Sequence, residues 1–115
     1  MMKYRVADPE AVASVIERAL FLLDRYGWSK GIFKNSRGER CVTGALYDAS
    51  QGWRGDTFTD AARCIKSHML RTYCWGHIAL EAYNDDPRTR KRGIRRLLHR
   101  TLRTLETQIR RDKCI

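Results

Sequence analysis

The first quarter of the chain has apolar residues at helical spacing. They recur every three or four positions, which places them on one face of a helix; they are Val12, Val15, Ile16, Ala19, Leu20, Leu23 and Tyr26. Asp8-Pro9-Glu10 precedes them and is a typical helix start, because Asp accepts bonds from free backbone amides and Pro fits the first turn. Gly27 can end the helix with a positive φ angle. The pattern predicts a first helix of about four turns.

Turn residues and short apolar stretches follow this helix. Ile32-Phe33 and Cys41-Val42 flank Asn35-Ser36-Arg37-Gly38, and Asn and Gly tolerate the positive φ angle of a tight turn. The arrangement predicts a short β-hairpin near residues 31–43 that leans on the helices, since two strands alone are marginally stable. A second interpretation stays open, in which residues 42–47 begin a short helix.

The second half of the chain has three more segments with helical patterns. A loop at residues 50–56 precedes a helix that is expected over residues 57–73, capped by a threonine. A shorter helix is expected over about 75–83. Asp86-Pro87 repeats the Asp-Pro start and predicts a last helix from about 87 to 111.

The last predicted helix separates apolar from basic side chains. On a helical projection its apolar residues fall within about 80 degrees of one another; they are Ile94, Leu97, Leu98, Leu102, Leu105 and Ile109. On the opposite side an arginine row falls within about 40 degrees and consists of Arg92, Arg96, Arg103 and Arg110. His99 and Arg100 flank this row. At about 1.5 Å per residue the row is about 27 Å long.

Almost all of the net charge lies at the C-terminal end. From Arg88 onward there are eleven Lys and Arg against two acids, a net of +9 out of +10 for the whole chain. The first 87 residues are nearly neutral, with twelve basic and eleven acidic residues. Concentrated positive charge attracts phosphate backbones, acidic protein surfaces or anionic membranes. A solvated face usually mixes signs, and cations at a helix N-terminus oppose the macrodipole, so a binding role is favoured over solubility or self-association.

Length and composition favour one domain over residues 1–115, with its core at about 8–111. Glu17 and Arg18 interrupt the first apolar segment, which argues against a signal peptide or a membrane span. Four cysteines without an export signal indicate reduced thiols in the cytoplasm. We therefore expect a mainly α-helical domain of about four helices that needs no cofactor.

The motif Cys64-x3-His68-x5-Cys74-x2-His77 has residue types suited to zinc. Its central spacing of five would require a sharp bend where the sequence has neither Gly nor Pro. Buried cysteine more often behaves as a small apolar residue. We therefore expect no metal at this motif.

Nucleophilic chemistry is a further hypothesis. Cys41 lies beside a glycine-containing turn, with His77 as a candidate base and Asn84 or Asp85 as the orienting group. A buried structural thiol is the more common role for such a cysteine. No phosphate-binding loop, serine elbow or paired-carboxylate motif occurs, so we expect a protein without catalytic residues.

Three short motifs connect the chain to a family: Gly27-Trp28, Gly38-x2-Cys41-x2-Gly44-Ala45 and Asn84-Asp85-x2-Arg88-Thr89. The chain resembles a small uncharacterised domain of actinobacteria and their bacteriophages, over roughly residues 10–106. The family has a Trp-Asn-Asp turn before its last helix, and this chain has Tyr83 in place of the Trp. The resemblance implies a phage-type accessory protein in a bacterial host and no particular activity.

The third motif is a turn whose side chains have two interpretations. Asn84 and Asp85 are expected to order the turn through bonds to backbone groups. Arg88, which precedes Thr89, is expected either to pair with Asp85 or to join the arginine row. A structural role is the favoured one of the two.

The sequence favours a small, non-enzymatic binding protein for DNA, RNA or a ribonucleoprotein. The predicted phosphate contacts present forks of donors suited to phosphate oxygens and are Arg92, Arg96, Arg100, Arg103 and Arg110. The alternative is a phage-type protein that binds and modulates an acidic surface of a host protein, with Trp53 and Phe58 as apolar anchors. A cysteine or zinc enzyme is the least favoured class.

Overall fold

The computed structural model describes residues 6–51, 56–69 and 78–114. The chain folds as a mainly helical domain, as predicted. Its described residues form five helices: α1 (Pro9–Tyr26), α2 (Val42–Ala49), α3 (Thr57–Lys66), α4 (Ile78–Asp85) and α5 (Lys91–Lys113). None of these helices is both long enough and apolar enough to cross a membrane.

Helix α1 forms the centre of the fold, where it packs against α2, α3 and α5. Its ends confirm the sequence prediction. Asp8 Oδ1 accepts a hydrogen bond from the Ala11 amide at 3.1 Å, and Pro9 is the first helical residue. Gly27 ends the helix with φ +108°, and its amide donates to the Leu23 carbonyl at 2.9 Å.

The hairpin predicted near residues 31–43 is reduced to isolated bridges, Lys34 with Arg40 and Trp28 with Arg40. The second interpretation is confirmed, because α2 begins at Val42. Cys41 caps this helix, its Sγ accepting a hydrogen bond from the Gly44 amide at 3.2 Å. The helix therefore uses residues that a second hairpin strand would need.

Helix α5 begins at Lys91, so its predicted start at residue 87 is wrong. Asp86 caps a turn instead, since its Oδ1 accepts a hydrogen bond from the Arg88 amide at 2.8 Å. The buried Thr89 hydroxyl donates to the Tyr83 carbonyl at 2.6 Å, which ties the turn back to α4. These bonds hold the backbone outside the helix until Arg90, the N-cap residue.

Helix α3 is shorter than the predicted span of 57–73 and ends at Lys66. The Ser67 hydroxyl donates to the Cys64 carbonyl at 2.6 Å, and the His68 amide donates to the Ile65 carbonyl at 2.9 Å. The chain has therefore left the α-helix by residue 68. The rest of that predicted span, residues 70–73, lies outside the described residues, as does the predicted start of α4 near residue 75.

Candidate nucleic-acid interface

Helix α5 is divided between a buried side and an exposed basic side. Its predicted apolar side is confirmed, because five of the six residues are buried and Ile109 is partly buried against the core; the five are Ile94, Leu97, Leu98, Leu102 and Leu105. Thr101 is also buried, and its hydroxyl donates to the Leu97 carbonyl at 2.8 Å. With the apolar side held against α1 and α3, the opposite side faces solvent.

The exposed side of α5 carries a shallow basic groove of about 490 Å³. Six residues of this one helix line the basic groove: Arg92, Arg95, Arg96, His99, Arg100 and Arg103. Four of the five predicted phosphate contacts are among them. The fifth, Arg110, is exposed nearly two turns beyond Arg103 and does not line the groove.

The arginines of the basic groove divide into two groups. Within residues 6–51, 56–69 and 78–114, Arg92, Arg96 and Arg103 are exposed and their guanidinium groups have no ion-pair or hydrogen-bond partner. Arg95 and Arg100 do have partners. The Arg95 guanidinium binds both carboxylate oxygens of Asp24, with Nε and Nη2 at 3.0 and 3.2 Å.

Arg100 is held by the segment that follows α3. Its Nη2 donates to the His68 carbonyl at 3.2 Å, and its Nε is buried without a hydrogen-bond partner in the described part of the chain. Arg100 therefore lines the groove but has a structural task that Arg92, Arg96 and Arg103 lack.

Asn84 of the third motif lies in the last turn of α4, where the sequence predicted a turn outside a helix; it is fully buried and joins three segments of the chain. Its Oδ1 accepts hydrogen bonds from Trp28 Nε1 at 2.7 Å and from the Val42 amide at 3.0 Å. Its Nδ2 donates to the Ser29 carbonyl at 3.1 Å and to Asp85 Oδ1 at 2.9 Å. All the hydrogen-bonding capacity of this amide is used within the fold.

The other residues of the motif turn are also occupied by structural bonds. Asp85 Oδ1 accepts a hydrogen bond from the Gly31 amide at 2.8 Å, as well as the one from Asn84. Arg88 pairs with Asp86 through Nη2 at 2.8 Å, so the predicted pairing with Asp85 is wrong. Arg88 pairs with Asp86 because the Asp86 carboxylate also accepts a hydrogen bond from the Arg88 amide and therefore lies beside the Arg88 side chain. Arg88 does not line the basic groove.

Among the candidate nucleophile and metal ligands that the structure describes, Cys41 and Cys64 are buried and His68 is hydrogen-bonded. Cys74 and His77 lie outside the described residues. Burial raises the pKa of Cys64 to about 11, and both ring nitrogens of His68 lie within hydrogen-bonding distance of oxygens, including Thr104 Oγ1 at 2.8 Å. Burial also raises the pKa of Cys41. Within the described ranges no three His, Cys, Asp or Glu residues form a metal site.

An exposed aromatic cluster outside α5, formed by Phe33 and Tyr47, was missed by sequence reasoning. Phe33 and Tyr47 are 43% and 49% exposed, and their ring centroids are 5.3 Å apart. Phe58, a predicted anchor, packs partly buried against Tyr47 and the core, and Trp53 lies outside the described residues. The closeness of Phe33 and Tyr47 depends on how the 28–41 segment folds over α2, and no local pattern indicates it.

Most of the chain matches a known protein family. A family of unknown function, DUF6197, matches residues 7–104. The chain belongs to this family. The match confirms the expectation of an uncharacterised domain family, and its range includes the third motif and all six residues that line the basic groove. No curated protein and no solved structure matches the chain.

Proposed function

We propose that this member of DUF6197 is a small, non-enzymatic protein that binds nucleic acid, alone or in a ribonucleoprotein, through α5. The observation that carries the proposal is the set of three exposed guanidinium groups, Arg92, Arg96 and Arg103, that have no partner within the described part of the chain. Guanidinium donors match phosphate oxygens in charge and shape. Such a surface suits contacts to the backbone, which position a ligand without reading its bases.

The N-terminal end of α5 strengthens the positive potential. Arg90 is its N-cap residue, no side chain caps the helix there, and Lys91 and Arg92 follow in the first turn. Cations at this end oppose the helix dipole by about 0.3–1 kcal/mol each. A bound phosphate would relieve that repulsion, which is why the arrangement supports a ligand more than a merely solvated surface.

A role without catalysis is supported by the engagement of the candidate catalytic groups. Asn84 and Asp85 are committed to hydrogen bonds within the fold. Burial raises the pKa of Cys41, which disfavours the thiolate that a nucleophilic cysteine needs. We extend the proposal to a cytoplasmic accessory protein of phage type, as the family resemblance implies.

A protein partner is the second candidate, and the aromatic cluster favours it. Ile32, Phe33 and Tyr47 expose 49%, 43% and 49% of their surface, and the Phe33 and Tyr47 rings are 5.3 Å apart. Exposed aromatic residues of this kind are common anchors of protein interfaces. In this alternative Phe33, Tyr47 and the predicted anchor Phe58, which contacts Tyr47, would bind an acidic host protein together with α5.

The test is a fluorescence-anisotropy titration of the nuclease-treated protein with duplex DNA, single-stranded DNA and structured RNA at two salt concentrations. A triple variant, Arg92→Gln, Arg96→Gln and Arg103→Gln, should lose most of the binding and keep its helical circular dichroism. The matched control removes the same charge at exposed positions elsewhere, with Arg25→Gln, Arg37→Gln and Arg63→Gln. An equal loss of nucleic-acid binding in both variants would show that binding depends only on net charge, and it would contradict the proposed site.

If none of the three nucleic acids binds at low salt, the nucleic-acid proposal is refuted. The second candidate would then predict a stoichiometric protein complex. Substituting Phe33 and Tyr47 by Ser should break that complex, whereas it should leave nucleic-acid binding unchanged.

A further inference from the structure

The basic groove is bordered along one side by acidic residues of α1. Helices α1 and α5 run antiparallel, as two ion pairs show: Glu10 with Lys113 at 3.2 Å and Asp24 with Arg95 at 3.0 Å. Glu17 lies midway between Glu10 and Asp24, seven residues from each, and is exposed. Residues seven apart lie two turns apart on one side of a helix. Glu10, Glu17 and Asp24 therefore form an acidic stripe parallel to the arginine row.

The acidic stripe limits where a polyanion can lie. Charges interact over a Debye length of about 8–10 Å at moderate salt, so phosphates that spread from α5 onto α1 would meet the carboxylates of the stripe. Phosphates that follow the arginine row along α5 would pass one carboxylate, that of the exposed Glu106, which lies one turn from both Arg103 and Arg110. The favourable path is therefore a narrow one, about 27 Å long at 1.5 Å per residue from Arg92 to Arg110.

The same border disfavours a single-stranded ligand. Proteins that bind single strands stack the bases on aromatic side chains beside a basic groove, and α5 contains no Phe, Tyr or Trp. Phe21 of α1, 61% exposed, is the most exposed large apolar residue among those described. It lies one helical turn from both Glu17 and Asp24, so a base stacked on Phe21 would bring its phosphates beside the Glu17 carboxylate and the Asp24–Arg95 ion pair.

On the basis of the proposed function, we infer that α5 binds double-stranded nucleic acid and follows one of its phosphodiester strands lengthwise. Arg92, Arg96, Arg103 and Arg110 contact that strand, and the acidic stripe keeps the duplex on the side of α5 away from α1. The recognised chemistry is the phosphate backbone of a duplex, and the bases are not read. Both DNA and RNA duplexes supply this chemistry.

The first test compares a duplex DNA, a duplex RNA and their separated strands, all of mixed sequence, in one anisotropy assay. At least one duplex should bind about tenfold more tightly than either of its strands. Four phosphate contacts predict a slope of log K against log salt of about −3.6 for duplex DNA, since each contributes about −0.9. Arg96→Gln should change that slope to about −2.7, and Arg37→Gln, an exposed arginine outside the groove, should leave it unchanged.

The outcomes separate this inference from the proposed function. If the separated strands bind as tightly as the duplexes and the triple arginine variant loses this binding, the duplex inference is overturned and the proposed function still holds. Failure of every nucleic acid to bind would overturn both.

The second test concerns the acidic stripe. Glu17→Gln should tighten duplex binding about twofold to threefold at low salt, because a solvent-exposed carboxylate that does not contact the phosphates repels them only weakly. Glu81→Gln, an exposed position on α4, adds the same net charge outside the stripe and should have a smaller effect. Equal effects of the two substitutions would show that α1 does not border the ligand.

Discussion

Replacement of Asn84 by alanine should weaken the fold more than its single side chain suggests. The amide is fully buried and makes four hydrogen bonds, with Trp28, Val42, Ser29 and Asp85. Alanine would leave the buried Val42 amide and the Trp28 indole without their acceptor, and the Ser29 carbonyl without a donor. The residues that lose partners lie 42 to 56 positions away, so the substitution separates α4 from the 28–42 segment.

The magnitude follows from the groups left unsatisfied. A buried donor without its partner costs about 1–3 kcal/mol, and two such donors with partial relaxation give a loss of about 4 kcal/mol in the free energy of unfolding. A domain of this size has a total stability of about 5–15 kcal/mol. The melting temperature should fall by about 15 °C, at about 4 °C per kcal/mol.

Urea unfolding followed by circular dichroism measures this loss, and Asn35→Ala is the matched control. Asn35 is also an asparagine with several hydrogen bonds, but its partners are the nearby Arg37 and Glu39 in a surface turn, where water can replace the lost groups. The control should cost about 1 kcal/mol. A loss at Asn84 no larger than that of the control would refute the view that this amide holds the segments together.

Three further predictions concern the core. Gly44→Ala should destabilise the fold by about 2–3 kcal/mol in urea unfolding, because the new methyl group would clash with the Phe33 carbonyl. Gly93→Ala is the contrasting substitution: a methyl group at Gly93 on α5 would lie in open space, and it should stabilise the fold by about 0.5–1 kcal/mol. Thr89→Val should cost about 1–2 kcal/mol through the lost bond to α4. The free energy of unfolding should fall between pH 9 and about 11, where the unfolded Cys64 thiol ionises and the folded thiol, of raised pKa, does not; a Cys64→Ala variant should show a smaller decrease.

Local signals in the sequence predicted α1 completely and the buried side of α5. The start of α1 depends on Asp8 and the residues that directly follow it. The same Asp-Pro signal predicted the wrong start for α5 at Asp86-Pro87. There the Thr89 hydroxyl donates a hydrogen bond to the Tyr83 carbonyl, which ties the turn to α4. That bond depends on the end of α4 and not on the capping pattern.

The arginine row was predictable from helical spacing. The sequence did not predict which arginines beside the row are bound to other parts of the fold. Arg95 is paired with Asp24, 71 residues away, and Arg100 with the His68 carbonyl, 32 residues away. Asn84 was expected to order its own turn, but most of its bonds reach the segment that follows α1. Such partners come from tertiary packing, which residue spacing does not record.

The separation of exposed arginines from fold-supporting residues has an evolutionary consequence. The guanidinium groups of Arg92, Arg96 and Arg103 bind no other group in the described part of the chain, so exchanging them changes the outer surface while the core stays as it is. Asn84 has no such freedom. Under the proposed function, the affinity of this chain for polyanions can therefore change one arginine at a time, without passing through an unstable intermediate.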